Sequence, residues 1–88
     1  MPKSIHRVEY TVLVELVRDI RLEANLTQTY VSEQIGRSQS FMSDVERGTR
    51  RLDMVQLNDL AQICGRSLSD VVAEFEARLK KKRIPGKR

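Results

Sequence analysis

From about Glu9 onward, apolar residues recur three and four positions apart along the chain. Leu13, Leu16, Val17, Ile20 and Ala24 fall on one side and Glu15, Arg18, Asp19 and Glu23 on the other, which predicts an amphipathic helix that Asn25 can end. Thr27 is placed to cap a short second helix with Val31 and Ile35 on its inner face, and Gly36 to end it in a left-handed turn. Ser38 can cap a third helix that begins at Gln39, points Met42 and Val45 inward, turns Gln39, Ser40, Ser43, Asp44 and Arg47 outward, and stops at Gly48. Past Thr49, Arg50 and Arg51, Asp53 caps a fourth helix, which buries Met54, Leu57, Leu60, Ala61 and Cys64 and ends at Gly65. Ser67 or Ser69 opens a fifth, whose Leu68, Val72, Phe75 and Leu79 form a stripe flanked by Val71. No segment alternates with the period of a strand, and no segment repeats another. The pattern predicts an all-α fold of five helices: a loose arm at residues 1–8, a domain at 9–79, and a disordered basic tail at 80–88 around Pro85-Gly86.

Composition narrows the function classes. Eighty-eight residues hold one small core and no second. The longest apolar run, Val12-Leu13-Val14, is far short of the ~20 residues that span a bilayer, and no signal-peptide pattern opens the chain, so a cytoplasmic protein without a membrane partner is expected. One cysteine and one histidine exclude an internal disulfide, a Cys/His metal cluster and any site that needs two histidines. There is no glycine-rich phosphate loop, no paired acid and base, and no nucleophile beside a histidine, so no catalytic, cofactor or metal site is expected. Cys64 reads as a small buried hydrophobe.

Charge adds an asymmetry. The net charge of +4 comes from the last nine positions, which hold six basic residues, whereas residues 1–79 carry ten basic against twelve acidic side chains. Within that body Arg37, Arg47, Arg50 and Arg51 gather near mid-chain, and Asp53, Asp59, Asp70, Glu74 and Glu76 crowd the C-terminal half. Such a chain can offer one positive face to a polyanion.

The stretch from Thr27 to Gly48 is the most specific. A helix-turn-helix needs a short helix, a tight glycine turn and a second helix at a steep angle, which fixes inward apolar positions and one small residue where the helices touch. Val31, Ile35, Met42 and Val45 fill the inward positions, Gly36 the turn, and Ser32 the contact. On Leu26-Thr27-Gln28, Val31-Ser32, Ile35-Gly36, Ser38-Gln39-Ser40, Met42-Ser43 and Val45-Glu46-Arg47-Gly48, the chain resembles the phage-repressor helix-turn-helix group, the lambda-repressor/Cro-like or XRE family. The resemblance covers roughly residues 9–76, with the motif at 28–47. The family usually has alanine where Ser32 lies and an apolar residue where Arg37 stands.

The resemblance implies a sequence-specific, double-stranded DNA-binding regulator, in particular a repressor, with its third helix in the major groove. Gln39 takes the base-reading position, where its amide can match adenine N6 and N7, and Ser40 and Ser43 share its face. Gln28 matches a glutamine that clamps the DNA backbone, and Arg37, Arg47, Arg50 and Arg51 are phosphate contacts. Arg21 and Glu46 match an ion pair that ties the first helix to the third. Phe41 can meet a thymine methyl or pack beside the fourth helix. The stripe at Val72, Phe75 and Leu79 calls for cover, either from a second copy, giving a homodimer on palindromic sites, or from the first helix. The Lys80–Arg88 run is a solubilising tail, a DNA arm or, less favoured because no amphipathic helix accompanies it, a membrane-surface segment. Two other readings share the scaffold: an antitoxin that also binds DNA and holds a toxin, and a protein-interaction adaptor.

Overall fold

A computed structural model describes residues 7–82, which form five helices: α1 (Val8–Glu23), α2 (Gln28–Ile35), α3 (Phe41–Glu46), α4 (Met54–Ile63) and α5 (Leu68–Lys82). The starts of α2, α4 and α5 are set by N-cap side chains that satisfy orphan backbone donors. The Thr27 hydroxyl accepts from the Tyr30 amide at 3.0 Å, and the Ser67 hydroxyl from that of Asp70 at 3.1 Å. Asp53 and Gln56 exchange side-chain and backbone bonds in a full capping box at the start of α4. Their ends share one device. At the end of α1, Asn25 and Leu26 donate back to the carbonyls of Leu22 and Arg21, and at the end of α2, Gly36 and Arg37 donate to Glu33 and Ser32. That closure needs a positive φ, which Asn25 reaches at 60° and Gly36 adopts without a Cβ penalty at 86°.

The core draws on every helix. Leu16, Val17 and Ile20 of α1, Val31 of α2, Phe41, Met42 and Val45 of α3, Leu60 and Ala61 of α4 and Val71 of α5 are each at most 2% exposed. α2 packs against α3 and α4, while α1 packs against α3 and α5. A short α3 is thus held on two sides by longer helices, which no six-residue helix could achieve by its own backbone bonds.

Several boundaries and registers differ from the sequence pattern. α1 starts at Val8, inside the expected arm, and Val12, absent from the expected stripe, is 1% exposed. α3 begins at Phe41, with Gln39 and Ser40 in a turn ahead of it and Ser38 giving its carbonyl, not its side chain, to the Phe41 amide. In α4 the inner face is Leu60 and Ala61, with Leu57 and Cys64 half-buried. Met54, one turn further out, lies past the edge of the core and is 64% exposed. In α5 it is Val71 that is fully buried, and Val72 is exposed. The same helix continues to Lys82, so Lys80, Lys81 and Lys82 are helical rather than part of a disordered tail. They sit at the C-terminal end, where the helix dipole favours cations. The rest of the expected arm, residues 1–6, and of the tail, residues 83–88, lie outside the described residues. No described helix is long and apolar enough to cross a membrane.

Candidate nucleic-acid interface

The α2–turn–α3 unit is fastened by one hydroxyl. Ser32 is fully buried, accepts from the Met42 amide at 3.0 Å and donates to the Gln39 carbonyl at 3.3 Å. It therefore satisfies an orphan donor at the start of α3 and an acceptor in the preceding turn. Alanine could supply the small volume but neither bond. Ser32→Ala is expected to lower unfolding stability by roughly 1–2 kcal/mol, the cost of leaving a buried amide and carbonyl unpaired. Urea unfolding of the two proteins checks this.

The orientation of α3 against α1 rests on Arg21 and Glu46. The guanidinium and carboxylate meet side by side, Nε to Oε2 at 2.6 Å and Nη2 to Oε1 at 2.9 Å, and Nη1 donates to the Leu26 carbonyl at 2.8 Å. The side chains are 10% and 6% exposed. Hydrogen bonding to Glu46 raises the Arg21 pKa further, so this charge is permanent. Gln28 completes the network, its Nε2 donating to Glu46 Oε1 at 2.9 Å. One of its two amide hydrogens is thereby committed inside the protein, and the other has no partner among the described residues.

The arginines after the turn and after α3 are brought together by aromatic rings. The guanidinium carbons of Arg37 and Arg50 lie 5.1 and 5.4 Å from the centre of the Phe41 ring. The sequence left Phe41 between thymine contact and core; the structure buries it, 2% exposed, in the core cluster. Arg50 was expected to flank the end of the recognition helix; the loop instead folds back and brings it to the first residue of α3. Arg51 lies over Tyr10 at 5.8 Å, and the Tyr10 hydroxyl donates to the Arg50 carbonyl at 3.2 Å, which pins the loop to α1. Partial burial raises the Tyr10 pKa, against the opposing pull of Arg51, so the phenol stays protonated and able to donate. Among the described residues, Arg37, Arg50 and Arg51 pair with no carboxylate, whereas Arg47 is in an ion pair with Asp44. Arg47 thus neutralises the acid on the outward side of α3.

Gln39 and Ser40 are exposed in the turn beside Arg37. The Gln39 amide has no partner among the described residues, and Ser40 Oγ lies 3.3 Å from Ser38 Oγ. Ser43 is half-buried. Its hydroxyl donates to the Ser40 carbonyl at 3.0 Å and faces a polar hollow of about 390 Å³ lined by Arg18, Arg21, Gln28, Glu46 and Arg47. Ser43 is thus left as an acceptor. Arg18 was missed by the sequence reading. It pairs with no described carboxylate, and its only sequence signal was its place on the polar side of α1, seven residues after Thr11 and three before Arg21.

The residues expected at a dimer interface are divided. Phe75 packs against its own core, and Leu79 is half-buried, so both have partial cover within the chain; Val72 is 37% exposed. Arg78 fastens α5 to α1 through Asp19 at 2.9 Å while also holding Glu74 at 3.0 Å.

A family model described as a helix-turn-helix domain matches residues 12–75. A solved structure described as an XRE-family like protein from Pseudomonas syringae pv. tomato str. DC3000 is 33% identical, with a TM-score of 0.76 over 86% of this chain and 93% of that one. The chain belongs to the XRE-type helix-turn-helix family. Two further structures share the XRE-type fold at lower identity. The clp gene regulator ClgR from Corynebacterium glutamicum is 21% identical, with a TM-score of 0.75 over 86% of this chain and 81% of that one. The restriction–modification controller protein C.Esp1396I is 18% identical, with a TM-score of 0.75 over 84% and 97%. A search of curated proteins returns no match. As an XRE-type protein the chain is a DNA-binding transcription regulator, and its family is one of regulatory proteins rather than enzymes.

Proposed function

We propose that this regulator is a sequence-specific repressor that occupies palindromic duplex sites as a homodimer. The observation that carries the DNA-facing part is the set of three arginines, Arg37 and Arg50 over the Phe41 ring and Arg51 over that of Tyr10, which pair with no carboxylate among the described residues, together with the exposed Gln39 amide, which has no partner among them. A stack of unpaired like charges is costly in isolation and favourable against phosphates, and an adjacent bifunctional amide is what base-edge reading requires. Gln39 and Ser40 are assigned to bases, with Ser43 as an acceptor at the margin. Arg37, Arg50, Arg51 and the remaining Gln28 N–H are assigned to phosphates, and Arg47 contributes once its bond to Asp44 opens. Repression follows from occlusion of a promoter.

Salt dependence tests the phosphate assignments. Arg51→Ala is expected to weaken binding to any duplex alike and to flatten the slope of log affinity against log salt by about 0.9 for each phosphate that is no longer neutralised. Fluorescence anisotropy across a salt series measures both quantities; an unchanged slope removes Arg51 from the backbone.

The dimer is supported by the exposed Val72 with Phe75 and Leu79 beside it on α5. Pairing there sets two recognition helices about one DNA turn, ~34 Å, apart. Val72→Asp is the clean probe, since Phe75 also serves its own core. Sedimentation should find a dimer of the unmodified chain at micromolar concentration and a folded monomer of the variant. A well-folded monomer in both cases would rule the dimer out.

A further inference from the structure

Phe41 opens α3, and its ring is 2% exposed although two charged side chains lie on it. Arg37 comes from the turn after α2 and Arg50 from the loop after α3, thirteen positions later, so nothing local in the sequence would bring them to one place. Each guanidinium carbon is within 5.4 Å of the same ring centre, inside the range where the electron-rich face of a ring attracts a cation. The two like charges repel one another, and among the described residues neither has a carboxylate to offset that. The ring is the one group that both are shown to share among the described residues.

We propose that Phe41 is a positioning residue for DNA binding: its ring holds Arg37 and Arg50 as a preformed pair for the phosphate backbone. The claim rests on the reading of those arginines as phosphate contacts. Among the described residues neither guanidinium donates to an acceptor, so their N–H groups, the groups that bond phosphate oxygens, are not spent inside the protein. The ring restricts two long side chains before the DNA arrives, so less rotamer freedom is lost on binding. A phosphate bound by either arginine also offsets their mutual repulsion. Phe41 touches no base or phosphate in this scheme and acts through its neighbours. The Tyr10 hydroxyl on the Arg50 carbonyl, at 3.2 Å, keeps the loop close enough for the second stack.

Fluorination of the ring separates this role from packing. The full 88-residue chain is made with one, two and three fluorines on Phe41, which withdraws charge from the ring face while nearly preserving its shape. Affinity for cognate and random duplexes is measured beside an Arg37→Ala/Arg50→Ala variant, with unfolding midpoints recorded for every chain. The expected result is a stepwise loss of affinity on both duplexes that reaches about two- to tenfold per arginine, without a matching loss of stability. In the Arg37→Ala/Arg50→Ala background, fluorination should change nothing further. If the arginine variant weakens binding and fluorination of the otherwise unmodified chain does not, the proposal is wrong and the phosphate reading stands. If the arginine variant binds as tightly as the parent, the phosphate reading of Arg37 and Arg50 fails and takes the proposal with it. A second measurement holds even if the fluorinated chains fold poorly. In the unmodified protein the δ-protons of Arg37 and Arg50 should show upfield ring-current shifts that Phe41→Tyr keeps and Phe41→Leu abolishes, and their absence overturns the proposal.

Discussion

Glu46→Ala is expected to lower unfolding stability by about 3 kcal/mol, the cost of stranding one partner of a buried ion pair. Arg21 would keep its charge at 8% residue exposure with only the Leu26 carbonyl at hand, and the Gln28 amide would lose its acceptor. The loss should greatly exceed that of an exposed pair such as Arg7–Glu9, where the median worth is about 0–1 kcal/mol. Arg21→Ala should cost a similar amount, and the double substitution less than the two together, because it leaves no stranded charge. The Arg21 pKa is raised, so its stabilisation is full at every pH below the ordinary arginine value and fades only above it. The penalty of Arg21→Ala should therefore be undiminished by raising the pH through the neutral range into the mildly alkaline. Denaturant titrations of the four proteins measure this, and a loss of under about 1 kcal/mol for Glu46→Ala would show that the pair is effectively solvated.

Gln39→Ala carries the second large effect, on binding rather than on folding. A glutamine that reads adenine through two hydrogen bonds contributes about 1–3 kcal/mol against the wrong base. Its side chain is exposed and bonded to no described residue, so truncation should leave the unfolding midpoint unchanged. Its carbonyl, which receives the Ser32 hydroxyl, stays in place. Affinity for the preferred site should fall while affinity for random duplex is nearly untouched, the opposite of what Arg51→Ala does.

Much of the scaffold was legible because it is encoded locally. Thr27, Asp53 and Gly36 sit where short-range capping and turn chemistry put them, and Val31, Met42 and Val45 follow helical spacing into the core. Adjacent valines defeat the same logic in α5, since a stripe through Leu68, Val72 and Phe75 and one through Leu68, Val71 and Phe75 both fit 3.6 residues per turn. Only packing against α1 and α4 selects Val71. The start of α3 escapes the sequence pattern for a different reason. Ser38 looks like a cap, but the decisive bond to the Met42 amide comes from Ser32, ten residues upstream. At the interface, the residue types were visible and their grouping was not. Arg50 reaches Phe41 and Arg51 reaches Tyr10 across loops, and Arg18 enters the polar hollow from another helix. Those contacts depend on chain return, which no window of sequence contains.

The most direct test of DNA reading by the turn at Gln39 is selection of duplexes from a random pool, run in parallel on the unmodified chain and on Gln39→Ala. The unmodified chain should enrich one motif, and that motif should include an adenine opposite Gln39. The variant should enrich the same motif with that one base pair relaxed. Enrichment of no motif by the unmodified chain, or an identical motif from both proteins, would contradict the assignment of Gln39 to base reading.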